Sequence, residues 1–238
     1  MKKHNTIKTL CLAALLLFGG LRASAQLEQS IFLNGSLPLG QMRQKTLSPI
    51  MGKDSVGSNA TLGLGLGYRA SYHFDVGFGE IAPYLNVDLM WNQVNGDLRD
   101  QNIRNGMKSA QYINIPAMLG INYRYELTDI LKPFAEFGVG YDLLFVTAEG
   151  NKGDAAQPYL KYNVRNAMAW QVGLGCYFGR HVSASLHYYG MGRHYVTYND
   201  KSHFPPVPGI TGFENPSVDN EPTPLNVGQL LLRVGFHF

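Results

Sequence analysis

Taken two residues at a time, most of this chain separates into one apolar face and one mixed face, the period of an extended strand. Eight such segments emerge, at about 27–40, 60–73, 81–94, 110–125, 133–148 and 164–178, one starting at 182, and one that closes the sequence. In the second, Leu62, Leu64, Leu66, Tyr68, Ala70 and Tyr72 share a face against Gly63, Gly65, Gly67, Arg69 and Ser71. In the fifth, Ala135, Phe137, Val139, Tyr141, Leu143 and Phe145 oppose Glu136, Gly138, Gly140 and Asp142. In the last, Leu230, Leu232, Val234, Phe236 and Phe238 oppose Gln229, Arg233, Gly235 and His237. Each run exceeds the ordinary soluble strand of about five or six residues. Each also reaches the roughly 9–11 residues that cross a bilayer at a tilt.

The connections alternate in length. Short ones fall at 75–79, 126–132 and 179–181, and long ones at 41–59, 95–109, 149–163 and 192–224. Long strands with one continuous apolar face can sit in lipid only if every backbone group is paired, which requires closure. Short turns alternating with long loops is the pattern of an outer-membrane barrel. The expectation is therefore an all-β, eight-stranded antiparallel up-and-down transmembrane barrel, with short periplasmic turns, long extracellular loops and both termini periplasmic.

The first residues change the picture of the chain's extent. Lys2, Lys3 and Lys8 precede an apolar stretch from residue 10 to 21, and Ala23-Ser24-Ala25 follows. This reads as a signal peptide over 1–25, cleaved near Ala25, with the barrel over 26–238. Of the two cysteines, Cys11 would leave with that segment, so Cys176 has no partner for a disulfide. The formal charge of +3 is too small and scattered to point to nucleic acid.

If the apolar face meets lipid, the mixed face must fill a bore that eight strands leave only wide enough for side chains. The alternating glycines then make room for inward Tyr84, Tyr112 and Tyr177; no helix follows them to cradle a phosphate. The inward ionisable residues are Arg69, Asp88, Arg124, Glu136, Asp142, His187 and Arg233. They read either as a polar conduit or as an internal ion-pair network, and the narrow bore favours the network, because an unpaired buried charge is costly. Arg69, Arg124, Glu136 and Arg233 fall in the same half by strand direction, which favours mutual pairing. On the apolar face, Trp91 is expected at the outer interface and Tyr72, Tyr123 and Phe178 at the inner one, with Trp170 nearer mid-strand.

Candidate chemistry adds little. His181-Val182-Ser183 has the residue types of a lipid-deacylating barrel but sits at a turn without an evident acid partner. His187 and Ser185 share a face and are explained equally well as lumen filling. His194, Asp200 and His203 match no metal-ligand spacing and read as loop residues. No catalytic residue, cofactor or metal is expected. The stretch 192–224, with Pro205, Pro206, Pro208, Pro216, Pro222 and Pro224, is the leading candidate for a recognition loop.

Three stretches carry a family resemblance: Tyr112-Ile113-Asn114-Ile115-Pro116, Lys132-Pro133-Phe134-Ala135-Glu136-Phe137-Gly138-Val139-Gly140-Tyr141, and the terminal Gly235-Phe236-His237-Phe238. With them the chain resembles the PorT-like outer-membrane β-barrel family. The motifs of that resemblance are architectural and bring no catalytic residues; the family's members are mostly of unassigned activity, with a protein secretion system associated with the name-giving one. The expected partners are outer-membrane lipid and the barrel assembly machinery, the latter through the last strand ending at Phe238; a protein partner is left open. The leading expectation is a non-enzymatic structural or surface-recognition barrel. The alternatives are a narrow OmpW-like transporter for small or apolar molecules, which predicts a lateral gap or open lumen, and a lipid-modifying hydrolase.

Overall fold

The computed structural model describes residues 26–44, 59–104, 108–150, 159–200 and 222–238. The expected leader, His203 and the proline-rich stretch from 201 to 221 lie outside the described residues. Ten strands follow in order: β1 (Gln26–Leu39), β2 (Ala60–Asp75), β3 (Glu80–Val94), β4 (Gln111–Arg124), β5 (Leu131–Val146), β6 (Glu149–Gly150), β7 (Tyr159–Arg165), β8 (Ala167–Phe178), β9 (Val182–Asp200) and β10 (Thr223–His237). Eight of them form the wall, in the order β1-β2-β3-β4-β5-β8-β9-β10, each antiparallel to its neighbours. The sheet closes because β10 pairs with both β9 and β1. The closing seam runs to the terminus, where Phe238 and Gln29 exchange backbone hydrogen bonds at 2.9 and 3.0 Å. The molecule is a closed eight-stranded antiparallel barrel, in which every wall strand pairs with a neighbour on both sides over most of its length.

Both described ends of the chain and the three tight connections share one rim, here the short-turn end. At the β2–β3 turn the Asp75 carboxylate accepts from Gly77 N at 2.7 Å and Val76 N donates to Gly79 O at 2.9 Å. The opposite rim carries the long connections. The second of these contains a feature that alternation does not reveal, the helix α1 (Gly96–Arg104). Its sequence GDLRDQNIR has no apolar stripe, so its start is set locally, by the Asn95 side chain accepting from Asp97 N at 3.2 Å.

Two boundaries differ from expectation for one physical reason. The seventh wall strand does not end at Gly192 but runs to Asp200, and β7 continues the line of β8 to pair with its far half. Gly192 is a bulge: between Asn226 and Gly228 the β9–β10 register slips by one residue, and Gly192 holds φ +74. Glycine adopts that left-handed conformation without steric cost, as this class of bulge requires. The slip inverts the inside–outside alternation. Tyr189 and Met191 point inward before it, and His194 points inward after it.

The two faces follow the sequence period. Leu62, Leu64, Met168 and Leu174 stand 68–70% exposed on the outside. Asn34, Asp88, Asn114, Gln171 and Arg233 are fully buried inside. Trp91 and Trp170 are on the outer surface, with Trp91 Nε1 donating to Gln111 at 3.1 Å and Trp170 packed on Tyr188 at 5.2 Å. At the short-turn end Tyr72 packs on Phe74 and Tyr123 on Phe78.

Candidate functional site: the barrel lumen

The inward residues stack in tiers across the bore. Nearest the short-turn rim, Arg124 lies between two acids, 3.1 Å from Glu28 and 3.3 Å from Glu80, with its guanidinium 3.6 Å over the Tyr177 ring. The same carboxylates hold His73, 3.0 Å from Glu80, and His237, 3.1 Å from Glu28. Arg124 thus pairs with Glu28 and Glu80, not with Glu136, the one acid among the four residues expected to pair in this half. Those partners come from β1 and β3, and only the barrel register brings them together.

In the next tier Arg69 and Glu136 form a two-pronged pair, both contacts at 2.7 Å. Glu136 also accepts from Asn122 at 3.1 Å and Gln171 at 3.3 Å, and His187 Nδ1 lies 3.3 Å away. Tyr84 closes this tier, its ring 4.1 Å from the Arg69 guanidinium and its hydroxyl accepting from Gln171 at 2.5 Å. Two glycines create the space for that phenol. A Cβ on Gly138 would stand 2.8 Å from the hydroxyl, and one on Gly120 would overlap the ring edge. The spaced glycines are therefore sockets for large inward side chains.

Above this, Arg233 spans the bore to Asp88, with contacts of 2.7 and 2.8 Å. Asp88 is saturated: Asn34 donates at 2.9 Å, Asn86 at 2.5 Å and the Tyr189 hydroxyl at 2.8 Å. Higher still, Asp142 accepts from Asn114 at 2.8 Å and meets His194 Nε2 at 3.1 Å. His194 is thus a lumen residue fully withdrawn from solvent, not the loop residue its position after Gly192 implies. The bulge is the cause, because unbroken alternation would have turned it outward. Among the described residues no three potential metal ligands converge.

Among the described residues three Ser–His–acid arrays occur in the lumen; the sequence showed only the Ser185–His187 pair, without its acid. Ser183 lies 2.8 Å from His237, which faces Glu28; Ser71 lies 3.2 Å from His73, which faces Glu80; Ser185 lies 2.8 Å from His187, which faces Glu136. Ser183 therefore meets His237, whereas His181 turns away to the His237 carbonyl at 3.0 Å. These serines are all buried, and two rest directly on a neighbouring strand. A Cβ on Gly235 would lie 2.6 Å from Ser183 Oγ, and one on Gly175 2.5 Å from Ser185 Cβ.

Toward the long-loop end the lumen turns apolar. Met42, Met90, Met118, Met191 and Leu231 are wholly buried, and pack in one cluster with Val94, Leu144, Leu225 and Val227. Met42 enters from a 3-10 turn, Gly40–Met42, at the end of β1. The turn is tied to β10 by Gln41, which accepts from Asn226 N at 2.7 Å, and by Gln229, which donates to Met42 Sδ at 3.5 Å.

No family model and no curated protein matches the chain. Solved structures of similar shape include the outer membrane protein OprG from Pseudomonas aeruginosa, at 14% identity, TM-score 0.46, covering 91% of this chain and 96% of that one. A major outer membrane protein from Thermus thermophilus gives 14% identity and TM-score 0.46, covering 90% of this chain and 100% of that one. The outer membrane protein AlkL gives 18% identity and TM-score 0.42, covering 90% of each. Likenesses this distant assign no role to the chain.

Proposed function

We propose that this chain is a non-enzymatic outer-membrane β-barrel that is closed to flow along its axis and serves as a rigid mount for its long loops. Membrane residence is supported by the exterior. A ring of strands exposes Leu, Ile, Val and Phe on nearly every outward position, which water does not tolerate over so large an area. Closure pairs the backbone within the wall, as lipid demands. The long-loop rim faces outward and the short-turn rim the periplasm, the usual sense for such barrels. The leader over 1–25 directs export and is removed near Ala25.

The observation that carries the closed-lumen reading is the Arg233–Asp88 bridge. It crosses the bore with both partners withdrawn from solvent, above a second crossing at Arg69–Glu136. A water-filled pore would leave such groups wet. The serine arrays read as hydrogen-bond saturation: all three serines are buried, and Ser183 and Ser185 rest on the neighbouring strand. Membership of the PorT-like family, on the stretches quoted above, adds the expectation of an envelope or secretion-related assembly.

The test is topological. In a Cys176→Ser background, cysteines are placed at Arg104, on the long-loop rim, and at Asp129, on the short-turn rim. An impermeant maleimide applied to intact cells should label the first and spare the second, with the protein in the outer-membrane fraction. Equal labelling, or the reverse, would overturn the orientation.

A further inference from the structure

The wall is not continuous to its long-loop rim. The β1–β2 ladder stops at Ser36 opposite Gly63, although β1 continues to Leu39 along β10 and β2 begins at Ala60. Residues 37–39 and 60–62 therefore face one another across a seam without a ladder. The chain there is built to do without one. Pro38 has no N–H to offer. The Thr61 carbonyl accepts instead from the lumen side chain of Asn92 at 3.0 Å. On its other flank β2 slips register against β3 between Ala60 and Gly63. The seam is bridged at its top by Asn59 N donating to Gln44 O at 3.2 Å.

Behind the seam lies the methionine-rich cluster, with Ala60 and Met42 both members of it. Outside the seam are Leu62 and Leu64, 69% and 70% exposed, part of the lipid-facing belt. An apolar exterior and the apolar cluster are thus separated by a stretch of wall without a ladder, with Asn92, Gln229 and the flexible Met42 at its inner side. The Arg233–Asp88 bridge lies below the seam, and the Asp142–His194 contact is made by β5 and β9, neither of which borders it. Methionine is unbranched and soft, and repacks around apolar guests at little cost.

We propose that this seam is a lateral port, and that the cluster behind it binds a single medium-length aliphatic chain arriving from the outer leaflet and displacing Met42. The proposal rests on the membrane reading above and deepens it: the barrel is shut along its axis but accessible from the side. Removing the Met42 side chain should leave an apolar void, of the kind that stays dry and takes up apolar guests.

The test uses the refolded barrel, with 13C-methyl methionine, in nanodiscs of perdeuterated lipid containing protonated dodecanoate. Met168, 70% exposed on the outer face, reports contact with chains in the bilayer. The proposal expects intermolecular NOEs from the chain to Met168 and also to Met90 and Met191, the latter two stronger in Met42→Ala and lost in Ala60→Phe. Heat-modifiable gel mobility confirms that each variant is folded. NOEs to Met168 alone, in both wild type and Met42→Ala, would overturn the port while leaving the membrane reading intact. No NOE to Met168 would overturn the membrane reading and the port with it.

Discussion

Replacing Asp88 by Asn removes one charge and almost no volume, so its consequences follow from the Arg233 environment alone. In the wild type, Asp88 balances the guanidinium at 2.7 and 2.8 Å and accepts from Asn34, Asn86 and Tyr189. The amide turns one acceptor oxygen into a donor, among groups that, the Tyr189 hydroxyl apart, only donate here. Arg233 is then left wholly buried without a counterion, its remaining contacts being the neutral Asn34 Oδ1 at 3.0 Å, the Tyr189 hydroxyl at 2.8 Å and Asn86 Oδ1 at 3.4 Å. Breaking a buried pair from one side costs about 3–5 kcal/mol. With a urea slope of ~2 kcal/mol per M, a loss of ~4 kcal/mol lowers the unfolding midpoint by ~2 M. The assay is urea unfolding of the vesicle-inserted barrel, followed by heat-modifiable mobility and by the fluorescence of Trp91 and Trp170. Asp88→Asn with Arg233→Met should recover at least half of the loss, because the stranded charge is gone. Asp129→Asn, on an exposed turn, should stay within about 0.5 kcal/mol of wild type. A single-variant shift below about 0.5 M would refute the claim that the bridge is dry.

Other outcomes follow from the same geometry. Gly120→Ala drives a methyl against both the Tyr84 ring and the Phe137 carbonyl and should cost ~1–3 kcal/mol in the same unfolding assay, with only part of it recovered in a Tyr84→Ala background. Gly192→Val forces a β-branched residue into φ +74 and should cost ~1–3 kcal/mol while shifting the His194 imidazole resonances as the Asp142 contact is lost. Leu66→Arg, on the outer face near mid-strand, should cost ~2–4 kcal/mol in lipid. Unchanged stability in that variant would argue that the outer face does not meet a bilayer.

Alternation made the barrel legible. A period of two with a one-sided apolar face identified every wall strand, because such a barrel puts each residue either in lipid or in the lumen. Strand ends were legible to within a few residues wherever the period held, as at Ala60, Val94 and Phe178. The period failed at Gly192, where one inserted residue inverts the faces; a glycine there reads as a stop or as a bulge, and only the neighbouring strand decides. Helix α1 escaped because its apolar residues form no stripe and it is set by Asn95. Within the lumen, residue types were readable but partners were not. Arg124 finds Glu28, 96 positions away, through register alone. The apolar upper lumen was hidden for a related reason: Met90, Met118 and Leu231 occupy inward positions of strands whose inward face is largely polar, and only the barrel register brings them into one cluster.

The most direct test of the central claim is the conductance of the purified, refolded protein in a planar bilayer. The account predicts no reproducible channel in the wild type, and an opening only when both crossings are removed together, in Arg69→Ala with Arg233→Ala. Steady channels in the wild type, altered by changing Arg69 or Glu136, would contradict it and make the inward charges a pathway.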